Sequence, residues 1–243
     1  MKILFIGYDA RYIYLINELK NRYEIDTLGY GNDVSVDNKS INNYDIVVLP
    51  MRGIVNNDYI TKDLFDDYEG VIYTGLTEGL KGNVESFLDD KEIVEENTLI
   101  TVDGIIDRIS SINKVIICIL GYGNIGSKLY DRLKDDYKVL VGVNKKYGIV
   151  GEFLTSNRND LEYRVTSSDL IINTIPNHII DEDILNKMRG YFLDISSSPY
   201  GIDINKINKY KLKYDLYSSI PSKYAPDRAG KILLKKFGED LWK

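Results

Sequence analysis

The feature that most constrains the fold is a pair of short apolar runs, each closed by glycine and followed by a helical pattern. Lys2-Ile-Leu-Phe-Ile-Gly7 is the first, and Lys114-Val-Ile-Ile-Cys-Ile-Leu-Gly121 is the second. Continuous apolar runs of this length suit strands buried on both faces of a parallel sheet. After the first run, Tyr12, Ile13, Leu15, Ile16 and Leu19 recur at helical spacing; after the second, Ile125, Leu129 and Leu133 do the same. Each half therefore opens as strand, turn and helix, the start of a βαβ unit.

Later segments match as well. Tyr44-Asp-Ile-Val-Val-Leu-Pro50 and Ser168-Asp-Leu-Ile-Ile-Asn-Thr-Ile-Pro176 both run from an acidic residue through an apolar stretch to a proline. Proline lacks an N–H, so pairing stops there and the chain leaves at the strand's carboxyl end. Further strands are expected at Glu24–Leu28, Val71–Thr74, Tyr137–Val143, Tyr191–Ile195 and Leu212–Tyr217. The pattern predicts an α/β protein of two doubly wound, Rossmann-like domains with mainly parallel sheets and a C-terminal helix. Residues 1–96 form the N-terminal, flavodoxin-like substrate domain, and 97–112 a linker helix with Ile105, Ile106 and Ile109 on one face. Residues 113–224 form the dinucleotide-binding domain. A final helix over 225–243 carries Ala229, Ile232, Leu233, Leu234 and Phe237, and its packing partner is left open by the spacing.

Composition narrows the function. The 243 residues include 37 acidic and 31 basic ones, a formal charge of −6, which counts against a nucleic-acid partner. Cys118 and His178 are the only residues of their kinds. A disulfide framework and a cysteine zinc site within one chain are thereby excluded, and no metal site is expected. A Ser-His-Asp or Cys-His site would have to use His178 itself. No apolar run approaches the ~20 residues that span a bilayer. The chain opens on a strand rather than a signal-peptide layout, so a cytoplasmic location without membrane contact is expected.

Chemistry concentrates in Gly121-Tyr122-Gly123-Asn124-Ile125-Gly126, set between a buried strand and an amphipathic helix. In that context Gly-x-Gly-x-x-Gly reads as a dinucleotide turn. Gly121 makes the turn, Gly123 admits a pyrophosphate to the backbone, and Gly126 lets helix and strand approach. The free N–H groups at the helix start supply positive charge. A ligand-free tight turn is the bland alternative. Asn144-Lys145-Lys146 follows the next strand, where an NAD-selective site carries Asp or Glu. An amide and two cations there favour NADP over NAD, unless both lysines merely solvate a loop. Thr174, Ile175 and Pro176 end the strand beside the turn and are expected to flank the ribose or nicotinamide.

On these residues and several others, the chain resembles the A subunit of dipicolinate synthase from spore-forming bacteria. Gly7-Tyr-Asp-Ala-Arg11 is similar to that family's Gly-Gly-Asp-Ala-Arg opening, and Asp45-Ile-Val-Val-Leu-Pro50 to Gly53 resembles its second strand and loop. Leu120-Gly-Tyr-Gly-Asn-Ile-Gly126 resembles Leu-Gly-Phe-Gly-Arg-x-Gly, and Ile172-Asn-Thr-Ile-Pro176 is the same string. Leu193-Asp-Ile-Ser-Ser-Ser-Pro199-Tyr-Gly201 is similar to Asp-Leu-Ala-Ser-x-Pro-Gly-Gly. Ile220-Pro-Ser-Lys-Tyr-Ala-Pro226 to Gly230 resembles Leu-Pro-Gly-x-x-Ala-Pro-x-x-Ala-Gly. The chain departs from the family in being shorter, mainly between Gly75 and Thr98. Ser222 stands for glycine, Asp227 stands for lysine, and Asn97 to Gly104 lacks the linker proline.

The resemblance implies oxidation of dihydrodipicolinate to dipicolinate with NADP reduction, in the mother-cell cytoplasm. The partner it implies is a flavoprotein-like B subunit, and it is compatible with a homo-oligomer. The small diacid would be bound through Asp9, Arg11, Arg52, Ser196, Ser197 and Ser198. Other readings stay open at each point. Arg11 either binds a carboxylate or is a solvated first-turn residue; Asp9 reads more as a helix N-cap than as a base. The three serines equally suit an ordinary turn, and no catalytic residue is assigned. His178 reads as an exposed loop residue rather than a base. A D-2-hydroxy-acid dehydrogenase is disfavoured, because His178 falls too early after the cofactor strands. A nucleotide-sensing subunit without turnover is the reading from another class.

Overall fold

The structure, a computed structural model, describes residues 1–54, 61–142, 153–154 and 158–241. It divides into two compact units, Met1–Asn97 with Pro221–Lys243, and Thr98–Ile220.

The first unit holds β1 (Lys2–Ile6), α1 (Ala10–Leu19), β2 (Glu24–Leu28), β3 (Ile46–Val48), β4 (Val71–Thr74) and β5 (Asn83–Ser86). The strands form one parallel sheet in the order β2-β1-β3-β4-β5. Its apolar residues alternate between two cores. Ile3, Phe5, Ile46, Val48 and Tyr73 meet Tyr12 and Leu15 of α1 on one face. Leu4, Ile6, Val47, Leu49 and Ile72 meet Ile41, Leu64, Phe65 and Tyr68 on the other. Burial on both faces is why these strands read as continuous apolar runs.

A helix, α2 (Lys91–Ile109), follows. It is longer than the expected linker helix and starts well before it. Asp90 explains the early start, since its Oδ1 accepts the N–H groups of Glu92 at 2.8 Å and Ile93 at 3.1 Å. With no proline across Asn97 to Gly104, nothing interrupts the turns between.

The second unit holds β6 (Ile116–Leu120), α3 (Asn124–Leu133), β7 (Lys138–Gly142), β8 (Phe153–Leu154), α4 (Arg158–Thr166) and β9 (Leu170–Asn173). It continues through α5 (Glu182–Lys187), β10 (Tyr191–Asp194), α6 (Ile204–Tyr210) and β11 (Tyr214–Leu216). The sheet is again parallel, in the order β11-β10-β9-β6-β7-β8. Ile117, Ile119, Val139, Val141, Leu170, Ile172 and Leu193 face a core closed by Val102, Ile105 and Ile109 of α2 and Leu129 of α3. Cys118, Leu120, Ile171 and Phe192 face the opposite core, with Val165 of α4 and Ile184 of α5. Burial pushes the Cys118 thiol up to about 12, so it is a core residue and not a nucleophile.

A short helix, α7 (Ile220–Tyr224), leads to α8 (Pro226–Leu241), whose partner is now fixed. It lies on α1 in the first unit, with Leu233 and Phe237 in the core that holds Tyr12 and Phe87. Ala229 is fully buried, and a Cβ on Gly230 would fall 2.5 Å from the Arg11 carbonyl oxygen. Small residues at this crossing let α8 meet the first turn of α1.

Candidate functional site

In a doubly wound sheet, ligands bind where neighbouring strands send their connections to opposite sides. The first sheet has this switch between β1 and β3, and the second between β6 and β9. The sequence motifs follow these four strands: Gly7 to Arg11, Pro50 to Gly53, Gly121 to Gly126, and Thr174 to Pro176.

At the second switch, Gly121 adopts φ +100°, and a Cβ there would lie 2.2 Å from Thr174 Oγ1. A Cβ on Gly126 would lie 2.2 Å from the Gly121 carbonyl oxygen. These two glycines are required by the chain's own packing. Gly123 is different: it is exposed, and a Cβ on it would meet nothing within 4 Å. It is also the N-cap of α3 and provides no side-chain cap. The helix start therefore offers backbone N–H groups beside open space, which fits a pyrophosphate. Asn124 is exposed, whereas Tyr122 and Ile125 are half-buried against the core below.

The helix start in the first unit is closed. Asp9 caps α1, its Oδ1 accepting the Arg11 N–H at 3.1 Å. The same carboxylate receives Arg11 Nε at 2.8 Å and Nη2 at 2.5 Å. With an anion already in place, this terminus is unsuited to phosphate. Arg11 is 9% exposed, which discards the solvated alternative. Burial is the largest single influence and opposes its charge, but the hydrogen bonds and the negative charge of Asp9 together raise its pKa. Two of its five N–H groups serve Asp9, leaving the rest of the fork for another acceptor. Arg52 is exposed in the turn closed by the Gly53 N–H to the Pro50 carbonyl at 2.8 Å.

Beyond β9, Thr174 donates both its N–H and its hydroxyl to the Leu120 carbonyl, each at 2.9 Å. Its side chain thus latches the glycine turn. Ile175 is half-buried, and Pro176 and His178 are exposed. Asn144, Lys145 and Lys146 lie outside the described residues.

The serine run follows β10 and is organised by Asp194, which is fully buried. Asp194 Oδ1 accepts Asn173 Nδ2 at 2.9 Å, Ser196 Oγ at 2.7 Å and Ser196 N–H at 3.1 Å. Its Oδ2 accepts Gly201 N–H at 2.8 Å and the Tyr214 hydroxyl at 3.2 Å. One carboxylate thus ties the loops after β9 and β10 to β11. Ser196 is spent inside this network, while Ser197 and Ser198 are exposed beyond it. Asp194 and Asn173 both lie in strings that carry the family resemblance, but the sequence alone assigns neither a role. Their one signal is a polar residue ending an apolar strand. Among the described residues no His, Cys, Asp and Glu cluster could hold a metal ion, and no helix is long and apolar enough to cross a membrane.

Two doubly wound parallel units, the second with an open Gly-x-Gly-x-x-Gly turn, make up a fold that this chain shares with two-domain dehydrogenases. The same fold occurs in the D-isomer specific 2-hydroxyacid dehydrogenase of Lactobacillus delbrueckii ssp. bulgaricus, solved in its NAD complexed form. The TM-score is 0.60 at 12% identity, over 99% of this chain and 97% of that one. More particularly, the chain is similar to the A subunit of dipicolinate synthase of Bacillus subtilis (strain 168), 24% identical over 96% of this chain and 93% of that protein. The crystal structure of the A subunit of dipicolinate synthase from Bacillus halodurans superposes with a TM-score of 0.77 at 20% identity, covering 100% of this chain and 98% of that one. No family model matches the chain. The similarity to the A subunit of dipicolinate synthase extends over nearly the whole length of the chain.

Proposed function

We propose that this chain is an NADP-dependent oxidoreductase that oxidises dihydrodipicolinate to dipicolinate, acting as the A component of a two-component synthase in spore formation. The observation that carries the proposal is end-to-end similarity to the dipicolinate synthase A subunit, spanning the turns at both switch points. NADP, when bound, supplies the hydride acceptor. Gly121, Tyr122, Gly123, Asn124, Ile125 and Gly126 take its pyrophosphate at the start of α3, with Thr174 holding that turn in shape. Ile175 and Pro176 line the ribose or nicotinamide. Lys145 and Lys146 neutralise the 2′-phosphate, beside the uncharged amide of Asn144.

The substrate is a flat diacid and needs cationic donors. Arg11 supplies a charge-assisted fork, and Asp9 acts by orienting it. Arg52 supplies a second cation, and the Ser197 and Ser198 hydroxyls supply neutral donors. Ser196 contributes through the turn that Asp194 holds. Loss of a hydride and a proton from a dihydropyridine gains aromaticity, so the chain's main task is to hold two partners in a reactive arrangement. The proton leaves to water or a nearby carboxylate. The same similarity is the ground for a place in the mother-cell cytoplasm and for a flavoprotein-like partner protein.

Calorimetry with the two dinucleotides tests the cofactor assignment. NADP should bind about tenfold more tightly than NAD, equivalent to ~1.4 kcal/mol, with the gap narrowing as salt rises. The double change Lys145→Glu, Lys146→Glu should reverse the order. Equal affinities, untouched by that change, contradict the assignment.

A further inference from the structure

The tetrapeptide Gly-Tyr-Gly-Asn occurs twice, at 29–32 after β2 and at 121–124 after β6. The second copy leads into the uncapped start of α3. The first is filled by the chain itself. The N–H groups of Gly29, Tyr30 and Gly31 converge on Asp33 Oδ1 at 2.7, 2.9 and 3.3 Å. Successive N–H groups turned inward form a nest for an anion, and here the anion is a side-chain carboxylate. Gly29 at φ +96° and Gly31 at φ +101° make the curl possible. What this closed loop presents is Tyr30.

The Tyr30 hydroxyl accepts the Asp9 N–H at 3.2 Å and donates to the Gly7 carbonyl at 3.1 Å. Its ring centroid lies 5.5 Å from that of Tyr8. It thus bonds the main chain on both sides of Tyr8, the residue that stands where the similar family has a second glycine. Burial drives its phenol well above the usual range, so the hydroxyl keeps its proton and both bonds at ordinary pH.

We propose that Tyr30 is a positioning residue for substrate binding, fixing through Gly7 and Asp9 the β1–α1 turn from which Arg11 extends. The inference rests on the reading that Arg11 binds a substrate carboxylate. Asp9 links the two roles: its N–H is held by Tyr30, and its carboxylate holds Arg11 Nε and Nη2. Freeing the backbone of Asp9 frees the guanidinium fork with it. A two-pronged contact depends on such placement, because both N–H···O bonds must meet a single carboxylate plane.

The test uses the full chain and a double-mutant cycle of Tyr30→Phe with Arg11→Ala. Dihydrodipicolinate kinetics with the flavoprotein-like partner protein give KM and kcat, and dipicolinate calorimetry reads the affinity of the same site without turnover. Tyr30→Phe should raise KM, and the dipicolinate Kd, about 3- to 10-fold. It should leave kcat within about twofold and NADP affinity unchanged. In the Arg11→Ala background it should add nothing. Asp33→Ala, which empties the nest, should move KM in the same direction. A purely structural role predicts lowered stability with effects that simply add to those of Arg11→Ala. That additivity, or an unchanged KM in Tyr30→Phe while Arg11→Ala still raises it, overturns the role of Tyr30 and leaves the Arg11 reading standing. No effect from either change overturns both.

Discussion

Gly123→Val should abolish dinucleotide binding and leave the fold intact. Gly123 sits at φ −84° and ψ −159°, a conformation that side-chain-bearing residues adopt. A Cβ added there meets nothing within 4 Å, so the side chain starts into open space. The same space is what a pyrophosphate must enter to reach the N–H groups of α3. Charge-assisted hydrogen bonds contribute about 1.5–3 kcal/mol each. Losing two of them raises Kd by at least about a hundredfold. Gly126→Val is the contrast, since its Cβ would collide with the Gly121 carbonyl at 2.2 Å. That variant should lose stability before binding can be measured. Thermal unfolding and calorimetry on the pair separate the two cases. A Gly123→Val chain that binds NADP normally would reduce the motif to a folding turn.

The second large effect is on stability. Asp194→Ala removes the acceptor that ties Asn173, Ser196, Gly201 and Tyr214 together. Asn173 retains the Ile175 carbonyl as an acceptor at 3.0 Å, and the Ser196 hydroxyl can turn. The buried N–H groups of Ser196 and Gly201 lose the partner that Asp194 gives them. Each stranded donor costs about 1–3 kcal/mol, so the loss is roughly 2–6 kcal/mol before the new cavity is counted. The apparent unfolding temperature of the unit should fall on the order of 10 °C. Asp194→Asn should lie between, because its oxygen still accepts while its new amide hydrogens face other donors. A shift of less than about 2 °C in Asp194→Ala would show that the network does not hold these loops.

How far the sequence carries depends on what each residue's neighbours must be. β1 and β6 are legible because burial on both faces demands an unbroken apolar run, and β2 and β4 run over the expected spans, Glu24–Leu28 and Val71–Thr74. β5 is not, because Asn83-Val-Glu-Ser86 is an edge strand with one apolar residue and looks like a loop. The glycine turn is legible through its strand and helix context. The start of α2 is hidden by Glu95, Glu96 and Asn97, whose polarity masks the helix that Asp90 caps. The partner of α8 depends on a long-range crossing at Gly230, which spacing along the chain does not encode. The same limit hides the serine run's true organiser. Ser196 looks like a donor to a ligand, whereas the buried Asp194 takes its hydroxyl. Tyr30 is invisible for a related reason, since its role comes from touching Gly7 and Asp9 across 23 and 21 positions.

One assay addresses the reaction itself. Purified chain is mixed with NADP, a flavoprotein-like partner protein and dihydrodipicolinate generated in place, and reduced cofactor is followed together with dipicolinate. The two products should form in equal amounts, and both should require this chain. Tight NADP binding with no dipicolinate above the background without the chain would contradict the proposed function, and would identify the protein as a nucleotide-binding component without turnover.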